Sequence, residues 1–345
     1  MRAAACLFFA LQALACAAGA QDHGDLLQAP ERVEWEAGGL YEGRLPDGTP
    51  FQLALAYPAP DGLPGEAGKI MANSYWFPRD YKGKATKLAP LGVPDAPAGA
   101  LQLAPLLDSG AQGPGRISIV LDAGRLGGKG SWTRADDDKA LPFSLTRIVP
   151  YRAVALTRPS PEAQAEGSDQ PFVYAALFPL FKDAALDEWV RAMAGRCDAD
   201  LACTNRVVVR WHSKDLLSLD ASAWTYGYGA AHEQYRSEMR HYVMHDGAPV
   251  HSRFTAFVAP STECRQLVSS ALVARLGAQG LSWADQGALD VFKEPRFIPT
   301  PSGLEFHWDP YEVGSFAQGM PSVFLTRDEL GSCARNLPQG AAGGK

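Results

Sequence analysis

The chain has 345 residues, of which 46% are hydrophobic and 20% are charged, and this composition excludes a disordered polyelectrolyte. Lys and Arg number 32 against 38 Asp and Glu, which gives a net charge of −6. An acidic chain without a basic run argues against nucleic acid as the main partner.

The N-terminus predicts an export signal over residues 1–20. A positive start precedes an apolar stretch that is shorter than the roughly 20 residues that span a bilayer. Ala18–Ala20 supplies small residues for cleavage before Gln21. A lipoprotein is the alternative, because Cys16 ends a run that resembles a bacterial lipobox. The sequence therefore predicts a periplasmic protein, or else a membrane-anchored lipoprotein that faces the periplasm.

Residues 35–150 follow, and their pattern predicts an all-β module. Short alternating segments are separated by turns such as Asp47-Gly48, which is typical of a hairpin. Several short strands of this kind indicate a small barrel or a sandwich. Four motifs in this stretch resemble a small β module found in exported bacterial proteins: Tyr41/Gly43, Ser74–Phe77, Gly130/Trp132 and Pro142–Leu145. We interpret their aromatic residues as core.

A polar, proline-bearing linker is predicted over residues 158–170, and a second module over 171–337. In it, Asp183 is positioned to cap a helix that ends at Gly195. A further helix is predicted from Thr262, and a hairpin is predicted around the Asp246-Gly247 turn. The pattern indicates an α+β domain, in which helices pack on one side of an antiparallel sheet. Residues 338–345 are predicted to form a small, flexible tail.

Four cysteines remain beyond the signal, an even number that suits an oxidising compartment. They allow three disulfide pairings, of which we favour Cys197–Cys203 together with Cys264–Cys333. A zinc site is the other interpretation, but CxxC spacing is absent. We therefore predict structural disulfides and no metal.

Two segments of the second module carry a resemblance to a known family. The first is Tyr226-Gly-Tyr-Gly-Ala-Ala-His232, and the second is Gly303–Gly319, which contains Pro310-Tyr311-Glu312. Together they resemble the RsiV-type domain of unknown function. The resemblance implies an exported α+β domain. In one branch of that family the domain is the sensor of a membrane-bound anti-sigma factor and binds lysozyme, and in another it accompanies a peptidoglycan deacetylase domain.

The same segments contain residue types that serve catalysis. His232 follows a glycine-rich run and could act as a general base, but no nucleophile motif accompanies it, so we favour a histidine that anchors its loop. Asp309 and Glu312 could form a glycosidase pair, but carboxylates in one loop are common, and we favour loop-fixing hydrogen bonds. His241 and His245 lie in a predicted strand, where four residues span roughly 13 Å, too far for one metal ion.

These observations favour a non-enzymatic, exported binding protein of the bacterial cell envelope that needs no cofactor. The expected ligand is a lysozyme-like cell-wall hydrolase or peptidoglycan, and an acidic chain would favour encounter with a basic hydrolase. The alternatives are an envelope hydrolase that acts on cell-wall glycan and a lipid-anchored scaffold or immunity-type protein. The expected recognition residues are Tyr226, Tyr228, His232, Asp309, Tyr311, Glu312 and Phe316.

Overall fold

The computed structural model describes about half of the first predicted module and most of the second. The described residues are 31–35, 39–46, 48, 50–55, 74–76, 86–90, 100–106, 115–122, 127–133, 139–159, 173–197, 202–213, 215–227, 229–246, 248–281, 292–293, 295–300 and 302–338. The predicted export signal, Cys16 and Tyr228 lie outside them, as do the predicted linker after residue 159 and the tail after residue 338. Within the described ranges, no helix has the length and apolar character needed to cross a bilayer.

Most of the regular structure is β-sheet, and the described strands of the first module close into a barrel. Its strands are β2 (Gly39–Arg44), β3 (Pro50–Leu55), β4 (Ser74–Trp76), β5 (Thr86–Pro90), β6 (Ala100–Leu106), β7 (Arg116–Leu121), β8 (Gly127–Thr133) and β9 (Ala140–Pro150). Neighbouring strands are antiparallel, and β9 pairs with β2 to complete the circle. Because the circle is closed, each of these described strands has a paired neighbour on both sides.

Alternation along the strands fills the barrel interior. In β7, Ile117 and Ile119 are buried while Arg116 and Val120 are exposed, which is the period of two that a half-buried strand requires. Tyr41 and Trp132, two of the motif aromatics, are buried in this core. Their burial agrees with their interpretation as packing residues rather than as ligand contacts.

In the described residues a seven-stranded sheet follows the order β1-β10-β11-β12-β13-β14-β15. The strands are β1 (Glu31–Trp35), β10 (Arg152–Pro159), β11 (Val173–Leu180), β12 (Ala202–His212), β13 (Leu216–Tyr226), β14 (Gln234–His245) and β15 (Ala248–Ser252). The barrel sequence is inserted between β1 and β10, which pair with each other. Trp35, where the first module was predicted to begin, thus ends a strand of the large sheet, and β10 extends into the predicted linker.

The large sheet is mixed, which corrects the expectation of a purely antiparallel one. β11 and β12 run parallel because helix α1 (Ala184–Gly195) connects them and returns the chain to the same end of the sheet. The Asp183 side chain accepts a hydrogen bond from the Leu186 amide, so the predicted cap is present. Leu186, Trp189 and Val190 of α1 join one hydrophobic core with strand residues of the sheet and the barrel.

A second core holds a three-stranded sheet together with helix α2 (Thr262–Ala278) and the short helix α3 (Arg327–Leu330). The small sheet consists of β16 (Arg296–Thr300), β17 (Gly303–His307) and β18 (Ser322–Thr326). Trp211 and Leu216 of the large sheet also belong to this core. The two long helices therefore lie in different cores, which corrects the expectation that the helices share one side of a sheet.

One of the two predicted disulfides is present. Cys264, in the first turn of α2, is bonded to Cys333 after α3, across a sequence separation of 69 residues. A loop of that size corresponds to a stabilisation of about 4 kcal/mol in the chain-entropy model. No disulfide joins Cys197 and Cys203 in the structure, and the buried Cys203 sulfur donates to the Arg196 carbonyl oxygen at 4.0 Å. The second predicted disulfide is therefore not formed in the structure.

Candidate functional site

The two segments that carry the family resemblance meet in space. His232, from the loop that follows β13, contacts two rings of the loop after β17. Its ring stacks on Phe316 with centroids 4.1 Å apart and lies 5.8 Å from the Tyr311 ring. Tyr235, at the start of β14, places its ring centroid 6.3 Å from that of Phe316. We call these four residues, His232, Tyr235, Tyr311 and Phe316, the aromatic patch.

Hydrogen bonds hold the imidazole of His232 in one orientation. Its Nδ1 lies 2.8 Å from the Glu233 carbonyl oxygen, and its Nε2 lies 2.8 Å from the Tyr311 hydroxyl. Because a carbonyl oxygen only accepts, Nδ1 carries the hydrogen of that bond, and the Tyr311 hydroxyl, which can donate or accept, is the partner of Nε2. Nδ1 thus holds the ring against its own loop, and Nε2 joins that loop to the loop of Tyr311, so the histidine anchors its loop.

Tyr311 is the most exposed member of the patch and has an unusual backbone. Its side chain is 52% exposed, and its φ is 71°, in the left-handed region that bulky residues rarely adopt. Such a conformation costs about 1–2 kcal/mol for a residue with a Cβ. A backbone outlier of this kind, on an exposed aromatic residue, is typical of sites that a protein keeps for binding.

An ion network holds the Tyr311 loop in place. Arg296, at the start of β16, lies with its Nη1 3.5 Å from Asp309 Oδ2, while its Nη2 donates to Glu312 Oε2. The same Glu312 oxygen accepts from the Asp309 amide at 2.7 Å. We call Arg296, Asp309 and Glu312 the surface ion network. Both carboxylates therefore fix the backbone on either side of Tyr311, in agreement with their loop-fixing interpretation.

The loop is also bound to the large sheet. The Ser237 hydroxyl donates to Asp309 Oδ1 at 2.6 Å, and the Ser237 amide donates to Asp309 Oδ2 at 3.1 Å. Ser237 and Tyr235 are two residues apart on β14, so they share a face of the strand. One face of β14 thus contacts both the ion network and the aromatic patch.

Close packing positions Phe316. A Cβ on Gly314 would lie 2.6 Å from Leu281 Cδ2, so no other residue fits there without a shift of its neighbours. The Gln318 side-chain oxygen accepts from the Ser315 amide at 2.7 Å, and its amide nitrogen donates to the Gly280 carbonyl oxygen after α2. The turn that carries Phe316 is therefore anchored to the end of α2.

Sequence reasoning found part of this site and missed part of it. It identified His232, Tyr311 and Phe316, which the structure brings together. Tyr226 lies at the end of β13, and its hydroxyl donates to the Ala230 carbonyl oxygen at 3.3 Å, so within this site it supports the loop that carries His232. Arg296 and Tyr235 were missed. The alternation of β14 could have indicated Tyr235, whereas no local pattern pairs Arg296 with residues 13 and 16 positions later.

A second ion network lies between the large and small sheets. Arg210 of β12 donates from Nη1 to Asp220 Oδ2 at 2.9 Å, and its Nη2 lies 3.7 Å from Glu305 Oε2 of β17. The side chains of Arg210 and Glu305 are each only 3% exposed. We call Arg210, Asp220 and Glu305 the buried ion network. It joins two sheets, whereas the surface network holds a loop.

His241 lies in the same interior. Its ring packs edge-on against the ring of Phe257 and at a tilt against that of Phe297. Its Nδ1 lies 3.0 Å from the Ser218 hydroxyl oxygen. Burial, reinforced by the charge of His251, lowers the pKa of His241 from 6.5 to about 3. The imidazole is therefore neutral in the folded protein, and it packs as a core residue.

No protein-family model and no curated protein matches the sequence. Among solved structures, the chain is similar to a DUF3298 family protein from Pseudomonas aeruginosa PAO1, with 18% identity and a TM-score of 0.40, over 55% of this chain and 95% of that one. It is also similar to a DUF3298 family member from Bacteroides fragilis NCTC 9343, with 10% identity and a TM-score of 0.40, over 55% of this chain and 94% of that one. The RsiV-type resemblance itself stays a prediction.

The chemistry of the patch is that of recognition. Exposed tyrosine rings supply apolar contact area, and their hydroxyls supply hydrogen bonds, with few rotatable bonds to order on binding. The carboxylates of Asp309 and Glu312 are both engaged by Arg296 and by backbone amides, so they are held as structural groups. The arrangement can therefore present a rigid aromatic surface to a ligand.

Proposed function

We propose that this protein is a non-enzymatic, exported binding protein of the bacterial cell envelope, and that the aromatic patch is its recognition surface. The single observation that supports the proposal is Tyr311. It is exposed, it has a left-handed backbone conformation, and it is held by hydrogen bonds and by an ion network on both sides. The strained backbone at Tyr311 keeps an aromatic ring exposed on the surface, where the ring can contact a partner.

The ligand we propose is a lysozyme-like cell-wall hydrolase or peptidoglycan. The resemblance of the two patch loops to the RsiV-type domain supports a wall hydrolase, and so does the net charge of −6, which favours encounter with a basic enzyme. Attraction of this kind is screened by salt over roughly 8 Å at physiological ionic strength. Binding to a basic hydrolase should therefore weaken as salt is added.

The test measures binding of the purified protein to lysozyme and, separately, to insoluble peptidoglycan, with muramidase activity read in the same samples. We expect binding to one of the two, and we expect Tyr311→Ala to weaken it at least about tenfold, which is the scale of an interface hot spot. Inhibition of muramidase activity on binding would identify the hydrolase as the ligand.

The control variant is Leu267→Ala, which removes an exposed apolar side chain, 38% exposed on α2, outside the patch. It should bind like the unmodified protein. The proposal is overturned if the unmodified protein binds neither ligand at low salt, or if Tyr311→Ala binds as tightly as Leu267→Ala.

A further inference from the structure

One carboxylate beside the aromatic patch differs from the others of the site. Glu233 follows His232, and its Oε1 accepts a hydrogen bond from the Tyr235 hydroxyl at 3.3 Å. Asp309 and Glu312 are both paired with Arg296, but no basic side chain in the described part of the chain forms an ion pair with Glu233. Glu233 thus lies beside the patch without taking part in any of the described ion pairs.

The rings next to Glu233 add to its negative potential. Tyr235 is 37% exposed, its ring is tilted by 35° against that of Phe316, and Phe316 in turn lies 5.9 Å from Tyr311. The faces of aromatic rings carry partial negative charge and attract cations that lie within about 6 Å of the ring centre. Burial and the charge of Glu233 both raise the pKa of the Tyr235 phenol, so the phenol stays neutral and donates to the carboxylate.

We propose that Glu233, together with the rings of Tyr235 and Phe316, forms a subsite for a basic side chain of a protein partner, with arginine preferred. A guanidinium can stack its flat face on a ring while its N–H groups donate to a carboxylate, whereas an ammonium lacks that flat face. The inference rests on the proposed function and deepens it, because a cation subsite favours a basic hydrolase over an anionic ligand.

The direct test uses fluorescein-labelled hexa-arginine and, as an uncharged peptide of the same shape, hexa-citrulline. Their binding to the unmodified protein, to Glu233→Gln and to Glu188→Gln is measured by fluorescence anisotropy at low salt. Glu188 is exposed on α1, so its variant carries the same change of net charge away from the patch. Melting temperatures of the three proteins check that each is folded.

We expect hexa-arginine to bind the unmodified protein and Glu188→Gln equally, and to bind Glu233→Gln about fivefold more weakly, since exposed charge pairs and cation–π contacts are each modest. Hexa-citrulline should bind at least about fivefold more weakly than hexa-arginine to the unmodified protein. The inference is overturned if Glu233→Gln binds hexa-arginine as Glu188→Gln does, or if the two peptides bind alike.

Failure of the subsite and failure of the proposed function give different results. If lysozyme binding depends on Tyr311 but Glu233→Gln leaves both lysozyme and hexa-arginine binding unchanged, the recognition surface is supported and the cation subsite is overturned. If hexa-arginine binding depends on Glu233 but lysozyme and peptidoglycan do not bind, the subsite stands and the proposed ligands fall.

Discussion

The protein contains two ion networks in different surroundings, each built on one arginine and two carboxylates, and in the buried one His307 Nε2 also lies 3.4 Å from Glu305 Oε1. In the buried network, the side chains of Arg210, Asp220 and Glu305 are 3%, 14% and 3% exposed. In the surface network, Arg296, Asp309 and Glu312 are 20%, 13% and 40% exposed. The buried network connects two sheets, whereas the surface network fixes the loop that displays Tyr311.

Burial decides what each network does. Charges removed from water are costly unless they are paired, so the loss of one partner in the interior leaves an unpaired charge that water cannot solvate. Near the surface, water compensates most of such a loss, and the pairing contributes little to global stability. The buried network therefore secures the fold, whereas the surface network secures a local geometry.

The largest expected effect is that of Arg210→Met. It leaves Asp220 and Glu305 without their arginine, and it should lower the free energy of unfolding by about 3–5 kcal/mol. Urea denaturation followed by tryptophan fluorescence measures this loss. Adding Asp220→Asn should restore part of the stability, since one of the two carboxylates that lost the arginine is then replaced by a neutral group. An unchanged unfolding midpoint in Arg210→Met would contradict the assignment of the network to the fold.

The next effect concerns the interior histidine. Because burial lowers the folded-state pKa of His241 from 6.5 to about 3, the unfolded chain binds the proton first as the pH falls. Its contribution is fully present above about pH 6.5 and is lost as the pH falls toward 3, by about 2 kcal/mol between pH 7 and pH 5.

The variant His241→Asn keeps a polar atom near Ser218 and cannot titrate, so it isolates this contribution. Its stability should fall less steeply than that of the unmodified protein between pH 7 and pH 5, as measured by urea denaturation at each pH. Parallel pH profiles for the two proteins would show that His241 does not carry this dependence.

A smaller effect on stability, but a specific one, is expected for Arg296→Met. The free energy of unfolding should fall by about 1 kcal/mol, because water reaches the 40% exposed Glu312 and Asp309 keeps its two hydrogen bonds from Ser237. Hydrogen exchange should rise in the loop 309–316 and stay unchanged in the large sheet. The comparison of the two networks fails if Arg296→Met destabilises the protein as much as Arg210→Met does, or if the loop keeps its protection.

The smallest expected difference separates two substitutions of one residue. Tyr311→Gly and Tyr311→Ala both remove the ring, but only glycine accepts the left-handed backbone without strain. The glycine variant should therefore be more stable than the alanine variant by about 1 kcal/mol, measured by thermal unfolding. Equal stability of the two variants would indicate that the backbone at this position relaxes once the ring is gone.

Local features of the fold were predictable because they depend on local chemistry. The cap at Asp183 and the Asp246-containing turn between β14 and β15 follow from residue types at short range. The even number of cysteines indicated disulfides but left three pairings open, and of the favoured pairing only the bond between Cys264 and Cys333 is present. The meeting of the two loops at His232 and Tyr311 was suggested only by the resemblance, since 79 residues separate them.

The features that could not be predicted depend on distant segments. The parallel pairing of β11 with β12 requires knowledge of where α1 returns the chain, and strand patterns are the same for either direction. The ion pairs of Arg296 depend on the sheet register that brings β16 beside β17 and thereby places the loop after β17 within reach. Hydrophobic periodicity carries neither kind of information, because it identifies buried faces but not the partners that cover them.

The insertion of the barrel has a consequence for how the large sheet assembles. Trp35, at the end of β1, pairs with Ala153, near the start of β10, so the whole barrel occupies the place that a tight turn occupies in an ordinary hairpin. The antiparallel pair of β1 and β10 can form only when the two ends of the intervening segment, which is more than a hundred residues long, come together. The pairing of β2 with β9 brings the two ends of the barrel segment together, so a barrel that formed first would leave only a short loop to close when β1 pairs with β10.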